Sequence, residues 1–173
     1  MRIVAGRWKG RRLVVPDGRT VRPTADRVRE AWMSIVQPWL PDARVLDLFA
    51  GSGALGIEAV SRGAAQADLV ENAASSLKAI ASNLSAVEAG DAVRVHRADA
   101  LRFMRDLEPH AYDVAFADPP YDLGVAAQVA EHWLATPFAD LLGVEHRAFE
   151  KLPDGGETRR YGGTAITLYR LSG

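Results

Sequence analysis

Residues 45–56 read Val-Leu-Asp-Leu-Phe-Ala-Gly-Ser-Gly-Ala-Leu-Gly, and this stretch decides the fold. Its first half, 45–49, is a short apolar run of strand type that only Asp47 interrupts. Its second half carries glycines at 51, 53 and 56 and leads into a helical pattern. A strand that passes through glycines into a helix is typical of nucleotide-binding turns, because glycine lets backbone N–H groups approach a ligand closely. The helix start adds N–H donors that favour a carboxylate or a phosphate there.

The composition is that of one ordinary globular domain. The chain has 173 residues, of which 48% are hydrophobic and 25% are charged, enough for a single full core. Because no apolar run is long enough to span a bilayer and no signal-peptide pattern opens the sequence, we expect a cytoplasmic protein without membrane contact. Cysteine is absent, which excludes disulfides, thiolate metal sites and cysteine nucleophiles. The four histidines lack metal-ligand spacing, so no metal site is predicted.

The charges are distributed unevenly along the chain. Residues 1–44 carry ten arginines or lysines and four acidic residues, whereas the remaining chain carries 11 basic and 18 acidic residues. This asymmetry favours contact between the N-terminal segment and a polyanion such as a nucleic acid. A solvated charged hairpin explains the same charges equally well, so charge alone does not decide between the two.

The first residues are predicted to form a β-hairpin. Strands at 2–5 and 11–15 flank a turn that contains Arg7-Trp-Lys9. There an aromatic ring lies between positive charges, which suits stacking on bases with phosphate contacts alongside. The alternative is a tryptophan folded back on the hairpin.

A helix is predicted after the hairpin. Apolar residues at 28, 31, 32, 35 and 36 repeat at helical spacing and predict one buried stripe. Arg27 and Arg29 lie off that stripe and are predicted to face a ligand. Prolines at 38 and 41 end the helix. We therefore predict a basic hairpin-helix appendage over 1–43 and a main domain over 44–173, together one compact unit.

From residue 44 onward, strand and helix patterns alternate. Repeated β-α units predict a parallel sheet with helices on both faces, and a closing hairpin places an antiparallel strand at or near the sheet edge. The fold class is therefore α/β, with a mostly parallel sheet of seven strands. The predicted strands are 44–49, 67–70, 93–97, 112–117, 143–150, 158–161 and 164–171, and the predicted helices are 54–62, 73–86, 100–107 and 124–135.

Chemically useful side chains follow four of these strands. Open α/β sheets bind ligands at the carboxyl ends of their strands. Asp47 and the glycine turn belong to the first strand, and Glu71 ends the second, where an acid can bind both hydroxyls of a ribose. Asp99 follows the third strand, where a carboxylate could accept a hydrogen bond from an adenine amine. The segment 118–121 follows the fourth.

The segment Asp118-Pro-Pro-Tyr121 is the most discriminating feature, because the glycine spacing also occurs in NAD-binding domains. Two prolines alone would merely end a strand. Asp118 can accept a hydrogen bond from an exocyclic amine, and the Pro119 carbonyl, aimed by a fixed φ, can accept the second amine hydrogen. Tyr121 can stack on the base. Together they would hold an aromatic NH2 group with its nitrogen facing a cofactor.

These motifs resemble a known family. The segments 47–53 and 118–121, with Glu71 and Asp99 between them, resemble class I S-adenosylmethionine-dependent methyltransferases that act on amines. Three further segments resemble the RsmD family in particular, and the resemblance runs from Arg2 to about Tyr121. They are Arg-Ile-Val-Ala-Gly-Arg-Trp-Lys-Gly-Arg at 2–11, Arg-Pro-Thr-Ala-Asp-Arg-Val-Arg-Glu at 22–30 and Gly-Ala-Leu-Gly-Ile-Glu-Ala-Val-Ser-Arg-Gly at 53–63.

The resemblance implies a Rossmann-like fold, S-adenosylmethionine as cofactor and methylation of the N2 amine of a guanine in 16S ribosomal RNA of the small subunit. The family often has an aspartate after its ribose-binding glutamate, where this chain has Asn72, so Asn72 receives no cofactor role. From the motifs and the resemblance together, the expected catalytic residues are Asp118, Pro119 and Tyr121. The expected cofactor residues are Asp47, Gly51, Ser52, Gly53, Glu71, Asp99, Ala100 and Asp118. The expected RNA-binding residues are Arg7, Trp8, Lys9, Arg11, Arg12, Arg22, Arg27 and Arg29.

Other functions fit parts of the sequence. The same four-residue segment serves methylation of adenine N6 or cytosine N4, in DNA or RNA. An NAD-dependent oxidoreductase fits the glycine turn, but no further catalytic constellation supports it. A non-catalytic RNA-binding or ribosome-assembly factor with a nucleotide-binding fold fits the basic segment. We expect a monomer, and a structural role at the sheet end for Glu145-His-Arg147.

Overall fold

The computed structural model describes residues 1–16 and 23–172. The five helices are α1 (Pro23–Val36), α2 (Ala54–Ser61), α3 (Ala74–Val87), α4 (Ala100–Arg105) and α5 (Val125–Ala135). The seven strands are β1 (Arg44–Leu48), β2 (Gln66–Glu71), β3 (Val93–Arg97), β4 (Tyr112–Ala117), β5 (Ala139–Arg147), β6 (Glu157–Tyr161) and β7 (Thr164–Arg170). Short 3-10 turns lie at Gln37–Trp39 and Gly90–Ala92. Within the described part of the chain, every helix is too short or too polar to cross a bilayer.

The strands form one seven-stranded sheet in the order β3-β2-β1-β4-β5-β7-β6. The first five pair in parallel, and β7 is antiparallel to both β5 and β6. The predicted α/β class, the strand number and the antiparallel strand near the edge are therefore confirmed. The chain order reverses beside β1, whose neighbours are β2 and β4, and ligand sites of open sheets occur at such a switch point.

Strand β5 begins earlier than the sequence indicates. It starts at Ala139 rather than at residue 143, and it ends at Arg147 rather than at residue 150. The strand is covered on both faces, so Leu141 and Leu142 are both buried and the alternation that marks a half-buried strand is missing. Phe149, which resembles a strand residue in the sequence, is 83% exposed beyond the strand end.

Helices cover both faces of the sheet, as predicted. On one face, Trp32 of α1, Ile57 of α2 and Ile80 of α3 pack with the N-terminal segment in one apolar cluster. On the other face, Met104 of α4 and Trp133 of α5 pack in a second cluster. The predicted division at residue 43 stays a prediction. The N-terminal residues share the first apolar cluster with residues of the sheet.

The N-terminal segment forms a shorter hairpin than predicted. Around the bridge between Arg2 and Arg12, three backbone hydrogen bonds of 2.8–3.0 Å join its two arms. The N–H groups of Val4 and Ala5 donate instead to the two carboxylate oxygens of Glu58 on α2, at 2.9 and 3.1 Å. Because a helix side chain satisfies these two donors, the pairing of the arms does not continue over the predicted strand as far as Ala5.

Helix α2 holds the hairpin at further points. Ser61 Oγ accepts from the Trp8 N–H at 3.0 Å and donates to the Ala5 carbonyl at 2.7 Å. Gly6 approaches α2 so closely that a Cβ there would lie 1.8 Å from the Ser61 carbonyl oxygen, and its φ is +87°. Only glycine fits both conditions. Asn83 of α3 binds the second arm, through both the N–H and the carbonyl of Val14.

Glu58→Ala tests this attachment. The Glu58 side chain is 1% exposed and forms an ion pair with Arg62 at 2.9 Å. Its removal leaves two backbone donors without their acceptor and the largely covered Arg62 guanidinium without its ion-pair partner, so we expect the free energy of unfolding to fall by about 3–5 kcal/mol. Chemical denaturation measures the change. Glu58→Gln keeps one acceptor oxygen and should lose clearly less. A loss of under about 0.5 kcal/mol in the alanine variant would contradict this role.

Candidate active site

A cavity of about 840 Å³ opens at the carboxyl ends of the central strands. Its volume suits a nucleoside cofactor together with a nucleobase. Helix α1 and the N-terminal segment form one wall, and residues after β1, β2, β4 and β5 form the rest. From the predicted site, the lining includes Asp47, Gly51, Ser52, Glu71, Asp99, Asp118, Pro119 and Tyr121. One cavity therefore joins the glycine turn to Asp118.

Two acidic side chains hold the glycine turn. Asp47 Oδ2 accepts from the Gly56 N–H at 3.0 Å, and Glu71 Oε1 accepts from the Gly51 N–H at 2.9 Å. The Gly53 N–H donates to the Ala50 carbonyl at 2.8 Å. The N–H groups of Gly51 and Gly53 are thus bonded within the protein, although the sequence analysis expected glycine N–H groups of this turn to approach a ligand.

The donors left for an anion lie at the start of α2. Ala54 and Leu55 line the cavity, and N–H groups in the first turn of a helix have no partner within the helix. Gly53, at the N-cap, has φ +82°, and a Cβ there would approach the Leu69 side chain to 2.9 Å. The glycine is needed for close packing under the turn rather than for a free N–H group.

Asp47 is almost completely enclosed, with 1% of its surface exposed. Burial raises its pKa to about 8, and the nearby charge of Glu71 contributes in the same direction, while the hydrogen bond from Gly56 opposes them. The predicted cofactor residue therefore acts on the backbone that shapes the turn.

Of the residues predicted to bind the ribose and the adenine, all but one line the cavity. Glu71 Oε2 accepts from the N–H groups of Asn72 and Ala73, both at 2.9 Å. Asp99 caps α4 by accepting from the Arg102 N–H at 3.0 Å. Ala100 is 6% exposed and lies in the second apolar cluster.

Apolar residues that the sequence analysis missed complete this side. Leu101, and not Ala100, lines the cavity, together with Phe49 and Leu55. The sequence signal for Phe49 is its place directly before the glycine turn. In the structure its φ is +59°, a conformation that is strained for a bulky side chain and is found at functional sites.

The segment 118–121 forms the other end of the cavity. Asp118 is exposed, Pro119 is buried and Tyr121 is half-buried, and all three line the cavity. The Tyr121 hydroxyl lies 3.3 Å from both Glu145 Oε2 and Thr164 Oγ1. Burial raises the pKa of Tyr121, so the hydroxyl keeps its proton. The Arg147 guanidinium lies 4.7 Å from the ring centre and covers one face of the ring.

Glu145 was assigned only a structural role from the sequence, but it lines this cavity. Its Oε1 accepts from Trp32 Nε1 at 3.2 Å. Arg147 pairs with Asp122 at 2.8 and 3.0 Å. No local motif marks Glu145, and only the pairing of β5 beside β4 shows its position.

The predicted RNA-binding residues divide into two groups. Arg7, Lys9, Arg11, Arg12 and Arg27 are exposed. Arg11 Nη1 also donates to the Ala86 carbonyl at 2.9 Å, at the end of α3. Arg22 lies outside the described residues.

Two members of the predicted set are buried. Trp8 is 8% exposed and belongs to the first apolar cluster, so its ring packs in the protein, and stacking on bases is wrong for it. Arg29 is 9% exposed, donates to the Arg2 carbonyl at 2.9 Å and lines the cavity. Because the first arm of the hairpin lies against this side of α1, a residue off the main apolar stripe is still covered. Arg29 therefore belongs to the cavity wall rather than to an outer RNA surface.

Comparison with known proteins places the chain in a family. The family model described as conserved hypothetical protein 95 matches residues 1–170. Ribosomal RNA small subunit methyltransferase D of Escherichia coli K12 is 44% identical over 126 residues, which are 72% of this chain and 62% of that protein. The protein of the same name from Haemophilus influenzae is 34% identical over 181 residues, 99% of this chain and 92% of that protein. The chain belongs to the RsmD family.

Solved structures show the same fold. A hypothetical protein of Thermus thermophilus is 32% identical, with a TM-score of 0.84 over 99% of both chains. The 16S rRNA N2 G1207 methyltransferase RsmC of T. thermophilus, solved with AdoMet and guanosine, is 19% identical, with a TM-score of 0.67 over 95% of this chain and 46% of that chain. This likeness confirms the Rossmann-like class I methyltransferase fold.

The enclosed carboxyl of Asp47 predicts a pH-dependent stability. It titrates near pH 3.8 in the unfolded chain and near pH 8 in the folded chain. Between these values the folded state holds a proton that the unfolded state has lost, so the stability of the wild type falls as the pH rises.

Asp47→Asn removes this titration while its Oδ1 still accepts from Gly56. As the pH rises, we therefore expect the unfolding free energy of the wild type to fall relative to that of the variant, by up to about 1.4 kcal/mol per pH unit. Denaturation at several pH values between 5 and 8 measures it. Parallel pH curves for the two proteins would show that the carboxyl has an ordinary pKa.

Proposed function

We propose that this RsmD-family protein transfers a methyl group from S-adenosylmethionine to the N2 amine of a guanine in 16S ribosomal RNA. One observation carries the proposal: a single cavity joins the carboxylate-held glycine turn to the segment Asp118-Pro-Pro-Tyr121. The cavity thus offers a nucleoside site and an amine site side by side. The names of the relatives, methyltransferases of small subunit ribosomal RNA, support the substrate class.

The donor set of the cavity fits S-adenosylmethionine. Glu71 lies 20 positions after the first glycine, in the place where an acid binds ribose hydroxyls, and its Oε1 uses only one lone pair on Gly51. Phe49 and Leu101 provide apolar surface for an adenine, beside the carboxylate of Asp99. The N–H groups at the start of α2 suit the methionine carboxylate. When bound, the cofactor supplies a methyl group on a positively charged sulfur.

Asp118 and the Pro119 carbonyl hold the amine of a guanine that is turned out of its stack. Tyr121 offers one ring face to the base, because Arg147 covers the other and Glu145 and Thr164 fix the hydroxyl. This arrangement fixes the amine nitrogen relative to the methyl donor, and such positioning replaces a bimolecular encounter. Asp118 also stabilises the positive charge that grows on the nitrogen and accepts its proton.

The exposed basic residues of the N-terminal segment bind RNA phosphates. Arg7, Lys9 and Arg12 are exposed on the hairpin. Its turn is bound to Ser61 at the end of α2, whereas Met1, Val15 and Pro16 at the other end of the hairpin line the cavity. Phosphate contacts along the hairpin would position the RNA whose nucleotide enters the cavity. The substrate within this proposal is 16S ribosomal RNA, as part of the small subunit.

The product nucleoside tests the reaction itself. Small subunits that lack the modification are incubated with the protein and labelled S-adenosylmethionine, and mass spectrometry identifies the methylated nucleoside. We expect N2-methylguanosine. N6-methyladenosine or N4-methylcytidine would overturn the proposal in favour of another amine, and no transfer at all would favour a non-catalytic factor.

Asp118→Ala should lower kcat by at least about 100-fold, because the amine loses its hydrogen-bond acceptor and no base is left to take the proton from the nitrogen. Calorimetry should show that S-adenosylmethionine still binds. Asp154→Ala, an exposed aspartate in the turn before β6, is the matched control and should keep wild-type turnover. Substantial turnover in Asp118→Ala would contradict the assigned role.

The contribution of the hairpin to RNA binding is tested with charge removal rather than deletion, because Ile3 and Leu13 belong to the core. In a double variant, Lys9→Ala with Arg12→Ala, the slope of log affinity against log salt should fall by about 1 per lost phosphate contact. Lys78→Ala with Arg105→Ala, on the exposed surfaces of α3 and α4, is the control and should keep the wild-type slope. Equal slopes in all three proteins would exclude the hairpin as the RNA contact.

A further inference from the structure

Glu145 stands next to Asp118 at the end of the sheet. Strands β4 and β5 run in parallel, and Ala117 pairs with Val144. The next residues of the two strands are Asp118 and Glu145, and neighbouring strands lie about 4.8 Å apart. Both residues line the cavity, so two carboxylates border the place where the amine of the base is held.

The Glu145 carboxylate is fixed in position by two groups, one from helix α1 and one from the segment 118–121. Trp32 of α1 donates to Oε1 at 3.2 Å, and the Tyr121 hydroxyl lies 3.3 Å from Oε2. Gly143 makes room for this contact, because a Cβ at that position would lie 2.1 Å from the Trp32 ring. The ring also packs edge-on against Phe116, with centroids 5.3 Å apart. A side chain held in one position by such contacts is suited to binding a ligand group specifically.

The carboxylate keeps capacity to accept more hydrogen bonds. An ionised carboxylate has about four lone-pair sites, and these two contacts use one on each oxygen. Among the ion pairs of the described residues, none includes Glu145. The side chain therefore presents acceptors to the cavity and, among the described residues, forms no direct ion pair.

The three candidate bases differ at the ring position beside the amine. In guanine the neighbour of the N2 amine is N1–H, a donor, whereas adenine has the N1 lone pair beside N6 and cytosine has the N3 lone pair beside N4. A fixed carboxylate attracts the first and repels the other two. Discrimination by an unmatched polar group is strong because the partner is left without its hydrogen bond.

We infer that Glu145 is the specificity residue of this site and accepts the N1–H of the target guanine, while Asp118 and the Pro119 carbonyl hold the N2 amine. The inference rests on the proposed guanine methylation and assigns the residue that selects guanine for it. Tyr121 links the two functions, because it lines the base site and also orients the Glu145 carboxylate.

The test reverses the roles of donor and acceptor on each side of the contact. The base exchanges its N1–H donor for a lone pair, and residue 145 exchanges a carboxylate acceptor for an amide that can donate. The nucleotide that the wild type methylates is first located in 16S ribosomal RNA by mass spectrometry. Small subunits are then reconstituted with RNA that carries either guanine or 2-aminopurine at that nucleotide. 2-Aminopurine keeps the amine but has a lone pair at N1. The wild type should methylate 2-aminopurine with a kcat/KM roughly 10- to 100-fold lower than guanine.

Glu145→Gln should reverse part of this preference. Its amide can donate to the N1 lone pair, so kcat/KM should fall roughly tenfold or more for guanine while the ratio of guanine to 2-aminopurine shrinks by a similar factor. The missing O6 of 2-aminopurine affects both proteins alike and cancels in this comparison. Glu157→Gln, on the exposed strand β6, is the matched control and should keep the wild-type ratio.

The outcomes separate this inference from the proposed function. A wild type that produces no N2-methylguanosine refutes the proposed function. If the wild type does produce it, equal activity on both bases refutes the role of Glu145 without any variant. A Glu145→Gln protein that loses activity equally on both bases shows a merely structural residue, and one that keeps wild-type activity on guanine shows no contact.

Discussion

The structure depends on two acidic side chains that hold the turn after the first strand. Asp47 binds the Gly56 N–H and Glu71 binds the Gly51 N–H, so β1, β2 and the start of α2 are tied at one point. Because Asp47 is buried, its charge is costly, and the pKa near 8 expresses that cost. A buried acceptor is retained there because a backbone N–H would otherwise lack a partner.

Helix α2 carries this constraint to the N-terminal segment. Its start belongs to the glycine turn, and its side chains Glu58 and Ser61 bind the backbone of the hairpin. Asn83 joins the same parts from the other side, since it binds both Val14 and the Ser52 carbonyl. The hairpin and the glycine turn are therefore positioned by the same helices, so these two parts of the cavity lining are fixed relative to each other.

Burial is where the sequence misled most. Trp8 and Arg29 lie among exposed cations in the sequence, which resembles a nucleic-acid surface, yet both are covered in the fold. Trp8 packs in the core under the Arg7 guanidinium, 4.4 Å from its ring centre, and Arg29 faces the cavity. The sequence shows which residues are basic. Which of them are exposed depends on how the hairpin folds onto the helices.

The sequence by itself determined the α/β class, the strand order in the chain, the glycine turn, and the acids at 47, 71, 99 and 118, because these depend on local periodicity and on residues near each strand end. Only the tertiary structure decided that Glu145 borders the same cavity as Asp118, that Trp32 orients it, and that the glycine N–H groups are already bonded. Such contacts join residues up to 113 positions apart, and pairing between distant strands and helices leaves no periodic signal in the chain.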